Sequence, residues 1–264
     1  LRPARLYVGT PAGDAANPAR PAASPGTLLY LHGGGFVIGS LETHDSLCRQ
    51  LALRSGGHVV ALDYRLAPEQ PFPAAVEDTW AALEALQRSP QRHGLPPDAA
   101  PLAVGGDSAG GTLAAVAALH ARDRGWPLAL QLLITPGTAA DADTPSHRLF
   151  ADGFLIDAAT IEWFFDHTLA RAERRDWRFA PLLADDVEGV APACVILAEC
   201  DPVVDEGVAY ADRLRTAGVP VELELYRGLT HDFIKMGRAL KEAGLALDVA
   251  AAALRRAWGV AKGA

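Results

Sequence analysis

Residues Pro101 to Thr112 read P-L-A-V-G-G-D-S-A-G-G-T, and the fold turns on how that stretch is understood. Leu102, Ala103 and Val104 form a short apolar run of the buried-strand kind, and Leu113 to Leu119 is an Ala/Leu/Val run suited to a helix. Between them, Gly106-Asp107-Ser108-Ala109-Gly110 fits G-x-S-x-G, the nucleophile elbow, in the strand, turn, helix context that motif requires. A serine on so tight a turn needs neighbours without side-chain crowding, which the glycines and Ala109 supply. A phosphate loop is the competing use of such glycines. Neither G-x-x-x-x-G-K-[ST] nor G-x-G-x-x-G is present, and no lysine stands nearby to meet a phosphate.

Working outward, apolar strand-like runs recur at Thr27 to Leu31, His58 to Leu62, Leu128 to Ile134, Cys194 to Ala198 and Val221 to Tyr226. Helical patterns separate them at Thr43 to Arg54 (apolar Leu47, Cys48, Leu51 and Leu53), Ala74 to Arg88, Val203 to Ala217, and from the last strand to the C-terminus. Strands regularly followed by helices predict a mostly parallel sheet covered by helices on both faces, with chemistry at the carboxyl ends of the strands. Arg2 to Val8 is strand-like, and Gly9 to Gly26 is a Pro/Ala/Gly-rich surface loop. The rhythm breaks between Thr135 and about Ala191, where an aromatic helix over Ala158 to Leu169 lies among polar turns. That stretch is too long for an ordinary connection and predicts a cap inserted at about 136–191 of one domain spanning 1–264.

The first of these strands runs into His32-Gly33-Gly34-Gly35-Phe36. Three successive glycines stabilise neither helix nor strand but free backbone N–H groups to point into a cavity, the arrangement that supplies oxyanion-hole donors. His32 is expected to brace that loop. The charges of Asp63 to Glu69 are expected to pair with one another and hold their turn, and Glu77 and Asp78 to be solvated or structural.

Ser108 follows one strand, Asp201 a later one and His231 the last. The order Ser, acid, His at three strand ends points to nucleophilic acyl transfer, with His231 activating Ser108 and an acid orienting His231. Asp205 lies one helical turn further on, where the chain has turned away, and Glu199 lies on the strand itself, so Asp201 is preferred. His44, His58, His93, His120, His147 and His167 fall on helices, a strand start or loops and are assigned no chemistry.

With 264 residues, half of them hydrophobic, the chain can bury a large core. A net charge of -8 argues against nucleic acid or an anionic membrane as partner. Cys48, Cys194 and Cys200 form neither a disulfide framework nor a zinc pattern, which makes a reducing, cytoplasmic setting the expectation. No apolar run reaches the roughly 18 residues of a membrane span. The first residue is Leu1, not methionine, and it already lies in a strand-like run, so further residues are expected upstream.

Together, His32 to Phe36, Asp63 to Glu69, Phe72 to Asp78, Gly105 to Gly111, Asp201 to Gly207 and the His231 loop resemble the hormone-sensitive lipase family of α/β-hydrolases. The resemblance implies the α/β-hydrolase fold, Ser108 as nucleophile, His231 as general base and acid, and Asp201 as its partner. It further implies that the amides of Gly34, Gly35 and Ala109 form the oxyanion hole. Short- to medium-chain carboxylic esters are the implied small-molecule substrates, with no metal or cofactor and with homodimers common in similar proteins. Lactones, carbamates or amides are alternatives for the same triad, and a ligand-binding homologue without catalysis, like the plant gibberellin receptors, is a third reading. Two departures from the family are noted: the N-terminal cap helix and first strand usual in it are expected to be missing from these residues, which would leave the sheet edge bare, and Asp232 stands where glycine commonly follows the histidine. A carboxylate there is expected to raise the pKa of His231 and displace activity to higher pH than in Asp232→Gly.

Overall fold

The computed structural model describes residues 2–10, 26–96, 101–139, 141 and 143–259, so most of the Pro/Ala/Gly-rich loop lies outside the described residues. Seven strands form one sheet: β1 (Ala4–Tyr7), β2 (Thr27–Leu31), β3 (His58–Leu62), β4 (Leu102–Asp107), β5 (Leu128–Ile134), β6 (Ala193–Cys200) and β7 (Val221–Thr230). Their spatial order is β1-β3-β2-β4-β5-β6-β7. Every pairing is parallel except β1 against β3, which sets Ala4 opposite Leu62.

Helices α1 (Asp45–Ser55), α2 (Ala74–Arg88), α3 (Ala109–Asp123), α4 (Pro145–Leu149), α5 (Ala158–Thr168), α6 (Val204–Thr216) and α7 (Lys241–Ala257) complete the chain. The alternation of side chains along a strand sorts the core into two layers. Leu29 and Leu31 of β2, with Val104 of β4 and Val195 of β6, pack against α2, α3 and α6. Leu28 and Tyr30, with Ala103 and Ile196, pack against α1 and α7 on the other face. Strands buried on both faces need continuous apolar runs, which is why β2 to β6 read as such in the sequence, whereas β7 is half-exposed.

Three expectations are corrected. Leu53 of α1 is 66% exposed, and the buried stripe of that helix runs instead through Leu47, Cys48, Leu51 and Ala52. β7 does not stop at Tyr226 but continues to Thr230, because a register shift between Ala198 and Cys200 lets Cys200 pair with Thr230. The charges of Asp63 to Glu69 do not close on one another: Arg65 leaves the loop and pairs with Asp78 and Glu77 of α2.

Candidate active site

β4 ends at Asp107 and α3 begins at Ala109, leaving Ser108 alone on the turn with φ 54° and ψ -123°. That is a costly conformation for a residue with a side chain, and close packing sustains it. A Cβ on Gly110 would lie 1.9 Å from the carbonyl oxygen of Leu31, and one on Gly106 would lie 2.3 Å from the same atom. The elbow is therefore seated directly on the end of β2.

His231 follows β7, and the bulge that lengthens this strand carries the imidazole over the elbow. Its Nε2 is 2.9 Å from Ser108 Oγ and its Nδ1 2.7 Å from Asp201 Oδ2. Asp201 is buried, and its other oxygen accepts the Val203 amide at 3.0 Å, which orients the carboxylate. With the Nδ1 proton directed at Asp201, Nε2 presents its lone pair to the Ser108 hydroxyl. Burial alone would lower the pKa of His231, but the attraction and hydrogen bond of Asp201, helped by Asp232 and Asp107, push it up to about 9.

The two rejected acids are engaged elsewhere. Asp205 Oδ2 accepts the Ser146 amide at the first turn of α4 at 2.8 Å, and Glu199 accepts the Gly228 amide at 2.7 Å.

Gly34 (φ 126°) and Gly35 (φ 59°) hold the loop after β2 in backbone conformations that favour glycine, and Gly35 lines the same cleft as Ser108 and His231. Among the described residues, the amides of Gly34, Gly35 and Ala109 donate to no protein acceptor. His32 stacks on Tyr64 with ring centres 4.3 Å apart, and its Nδ1 lies 2.8 Å from the Gly33 carbonyl. Tyr64 in turn donates to the His32 carbonyl at 2.6 Å. Burial holds the His32 pKa below its ordinary value, so the ring is a neutral prop.

Sequence reasoning passed over the group beneath this loop. Asp107 is completely buried and accepts from Tyr30 Oη at 2.6 Å, Gly33 N at 3.2 Å and, on its other oxygen, His44 Nε2 at 2.9 Å. Burial opposes its charge, yet His44, Lys235 and Tyr30 hold its carboxyl well below the ordinary range. His44, assigned no chemistry from its sequence position, thus anchors the acid that grips the glycine loop. The available signal was Asp107 itself, an ionisable residue in an elbow otherwise built from small residues.

Glu206 was also missed. It is buried on the cleft side, where Oε2 accepts the Ala139 amide at 3.0 Å and where burial pushes its carboxyl up to about 8. Apart from Thr112, the cleft wall it shares with Ser108 and His231 is apolar, with Phe36, Ile161, Phe164, Phe165 and Phe179 among its large side chains. Four of those aromatic and aliphatic side chains, Ile161, Phe164, Phe165 and Phe179, come from the segment between β5 and β6. A larger cavity of about 540 Å³ lies against β1 and α2 but contains none of Ser108, Asp201 or His231. Among the described residues no cluster of His, Cys, Asp and Glu suits a metal ion, and no helix is long and apolar enough to cross a membrane.

The chain is 43% identical over 257 residues to the ethyl acetate hydrolase of Pseudomonas putida, covering 96% of this chain and 78% of that protein. It is 40% identical over 235 residues to the carboxylesterase NlhH of Mycobacterium tuberculosis, covering 87% and 73% respectively. Among solved structures, an ester hydrolase from the metagenome of Lake Arreo, complexed with a bipyridine phosphonate derivative, superposes with a TM-score of 0.88 at 43% identity. That match covers 97% of this chain and 79% of the other. The esterase of Pyrobaculum calidifontis matches at a TM-score of 0.87 and 38% identity, covering 98% of this chain and 82% of the other. The α/β hydrolase fold family model matches residues 28–235, and with these relatives it establishes that the chain belongs to the α/β-hydrolase fold family, in its hormone-sensitive lipase group.

Proposed function

We propose that this chain is a serine carboxylesterase that cleaves small-molecule carboxylic esters through an acyl-enzyme. The observation that carries the reading is the unbroken relay from Ser108 Oγ to His231 Nε2 at 2.9 Å and from His231 Nδ1 to Asp201 Oδ2 at 2.7 Å. A serine hydroxyl is a poor nucleophile until a base accepts its proton as it attacks, and His231 stands where that base must be. Ser108 Oγ adds to the ester carbonyl while its proton moves to His231 Nε2, and Asp201 stabilises the imidazolium so formed. The carbonyl oxygen, now negative, is received by the amides of Gly34, Gly35 and Ala109, each such donor contributing roughly 2.7–4 kcal/mol to the barrier reduction. His231 returns the proton to the leaving alcohol, and water repeats the sequence on the acyl-enzyme.

The segment over about 136–191 serves as the cap: Phe164, Phe165 and Phe179 narrow the cleft and favour short acyl chains. Relatives named ethyl acetate hydrolase and carboxylesterase support the same substrate class.

The test is initial rates on p-nitrophenyl esters from acetate to palmitate. Short chains are expected to be preferred, and Ser108→Ala to lose about 10⁴-fold or more in kcat. Retained activity in that variant would overturn the reading. A general base works only when neutral, so with His231 raised to about 9, kcat/KM is expected to climb with pH through the alkaline range. Lactone, carbamate and amide substrates run beside the esters check whether the reaction class is drawn too narrowly.

A further inference from the structure

The reaction scheme leaves one cation beside the site unused. Lys235 stands four residues past His231, at the end of the short 3-10 segment Phe233–Lys235, with its side chain 30% exposed. Its Nζ lies 2.7 Å from Asp232 Oδ2 and 3.8 Å from Asp107 Oδ2. It therefore touches both the turn that carries His231 and the acid that holds Gly33, Tyr30 and His44.

Acids dominate the surroundings of His231. Asp201 faces it from the turn after β6, Asp107 from the end of β4, Asp232 from its own turn and Glu206 from α6, while His44 and Tyr30 are spent on Asp107. Asp232 is held in the left-handed region with φ 59°, and its Oδ1 is buried without a hydrogen-bond partner, so among the described residues Lys235 is the one anchor on that carboxylate. The choice of residue is informative as well. Only three of the 24 Lys and Arg residues in the chain are lysine. A compact ammonium fits between two converging carboxylates, where the planar fork of arginine would need more room.

We propose that Lys235 is a positioning residue for the ester hydrolysis inferred above: it pins the histidine turn to the elbow and the glycine loop through Asp232 and Asp107, and balances those two carboxylates in front of His231. The inference rests on the esterase reading for its role in turnover, but its electrostatic half is measurable without turnover.

Removing the ammonium leaves Asp107 and Asp232 to favour the imidazolium form of His231, which must then lose its proton at higher pH. The experiment follows the low-field imidazole proton of His231 by NMR across pH in the Ser108→Ala background, with and without Lys235→Met. In parallel, the acid limb of kcat/KM on p-nitrophenyl acetate is followed in the active chain. The expected result is an upward displacement of both midpoints by on the order of half a unit, with a several-fold slower reaction at neutral pH. Lys235→Arg, keeping the charge but not the fit, should leave the midpoints near the parent's while still slowing turnover, and Asp232→Gly should displace them downward. If Lys235→Met lowers the melting temperature and the rate while both midpoints stay fixed, the balancing role is overturned. Lys235→Gln decides in the same way should the methionine variant not fold. An inactive parent, or an active Ser108→Ala, would sink the esterase reading while leaving the NMR titration to judge Lys235 on its own.

Discussion

Two carboxyl groups are buried on either side of Ser108, and their surroundings drive them in opposite directions. Asp107, behind the elbow, meets a phenol, an amide, an imidazole and an ammonium, and is held charged. Glu206, in the cleft wall, meets backbone amides and apolar side chains, with the negative charge of Asp201 nearby, and is held neutral up to about pH 8. Burial is common to both, so burial does not decide the outcome; the count and sign of the partners do. The region behind the serine is built to keep a charge in place, and the region in front of it to keep charge out of an apolar pocket.

The harshest way to break this contrast is to remove Asp107. Asp107→Ala strands the Tyr30 hydroxyl, the Gly33 amide and His44 in the interior, with an expected loss of about 3–5 kcal/mol in urea unfolding. Because the Gly33 anchor goes with it, kcat/KM is expected to fall on the order of 100-fold. An alanine variant with parent-like stability and rate would show that the buried charge is incidental.

Glu206→Gln probes the other side and should be mild at pH 5. The folded-state pKa of Glu206 is raised above that of the unfolded chain, so between about 4.5 and 8 the folded form binds the extra proton and loses stability as pH rises. Glutamine cannot ionise and escapes that loss. Its melting temperature is therefore expected to match the parent at pH 5 and exceed it by a few degrees at pH 9. Equal differences at both pH values would contradict a neutral acid in the cleft. The smallest effect on the pH profile belongs to Tyr30→Phe, which removes one of several hydrogen bonds to Asp107 and should cost about 1.5–3 kcal/mol of stability with the profile nearly unchanged. A stability loss as large as that of Asp107→Ala would mean that the phenol alone supports the charge.

The parts of the site that sequence makes legible are those tied to local pattern. Ser108, Asp201 and His231 each follow an apolar run that reads as a strand, and the glycines after Leu31 announce a loop with no side-chain business of its own. His44 is silent because it meets Asp107 across 63 positions of chain, a contact no periodicity encodes. Glu206 sits on an amphipathic helix whose buried face could as well have been wholly apolar, and only the nearness of Ala139 explains a carboxyl there. The end of β7 was misread for a related reason: R-G-L-T has the composition of a turn, and only pairing with Cys200 makes it a strand. Arg65 likewise chose partners on α2 over those in its own loop, since Asp78 presents two oxygens at hydrogen-bonding distance.

Phe164 rests so tightly on the glycine loop that a Cβ placed on Gly35 would fall 2.1 Å from its ring. The roof of the pocket and the amides of Gly34 and Gly35 are thus two sides of a single seam, not a detachable module and a fixed base. Anyone grafting a roof from a relative to widen the range of accepted acids has to carry over a ring of the same thickness at this spot. If those amides receive the developing negative charge as proposed, a thinner side chain would let water reach it and a bulkier one would lever the amides out of line, so in either case appetite for new substrates would come at the expense of speed on every one of them.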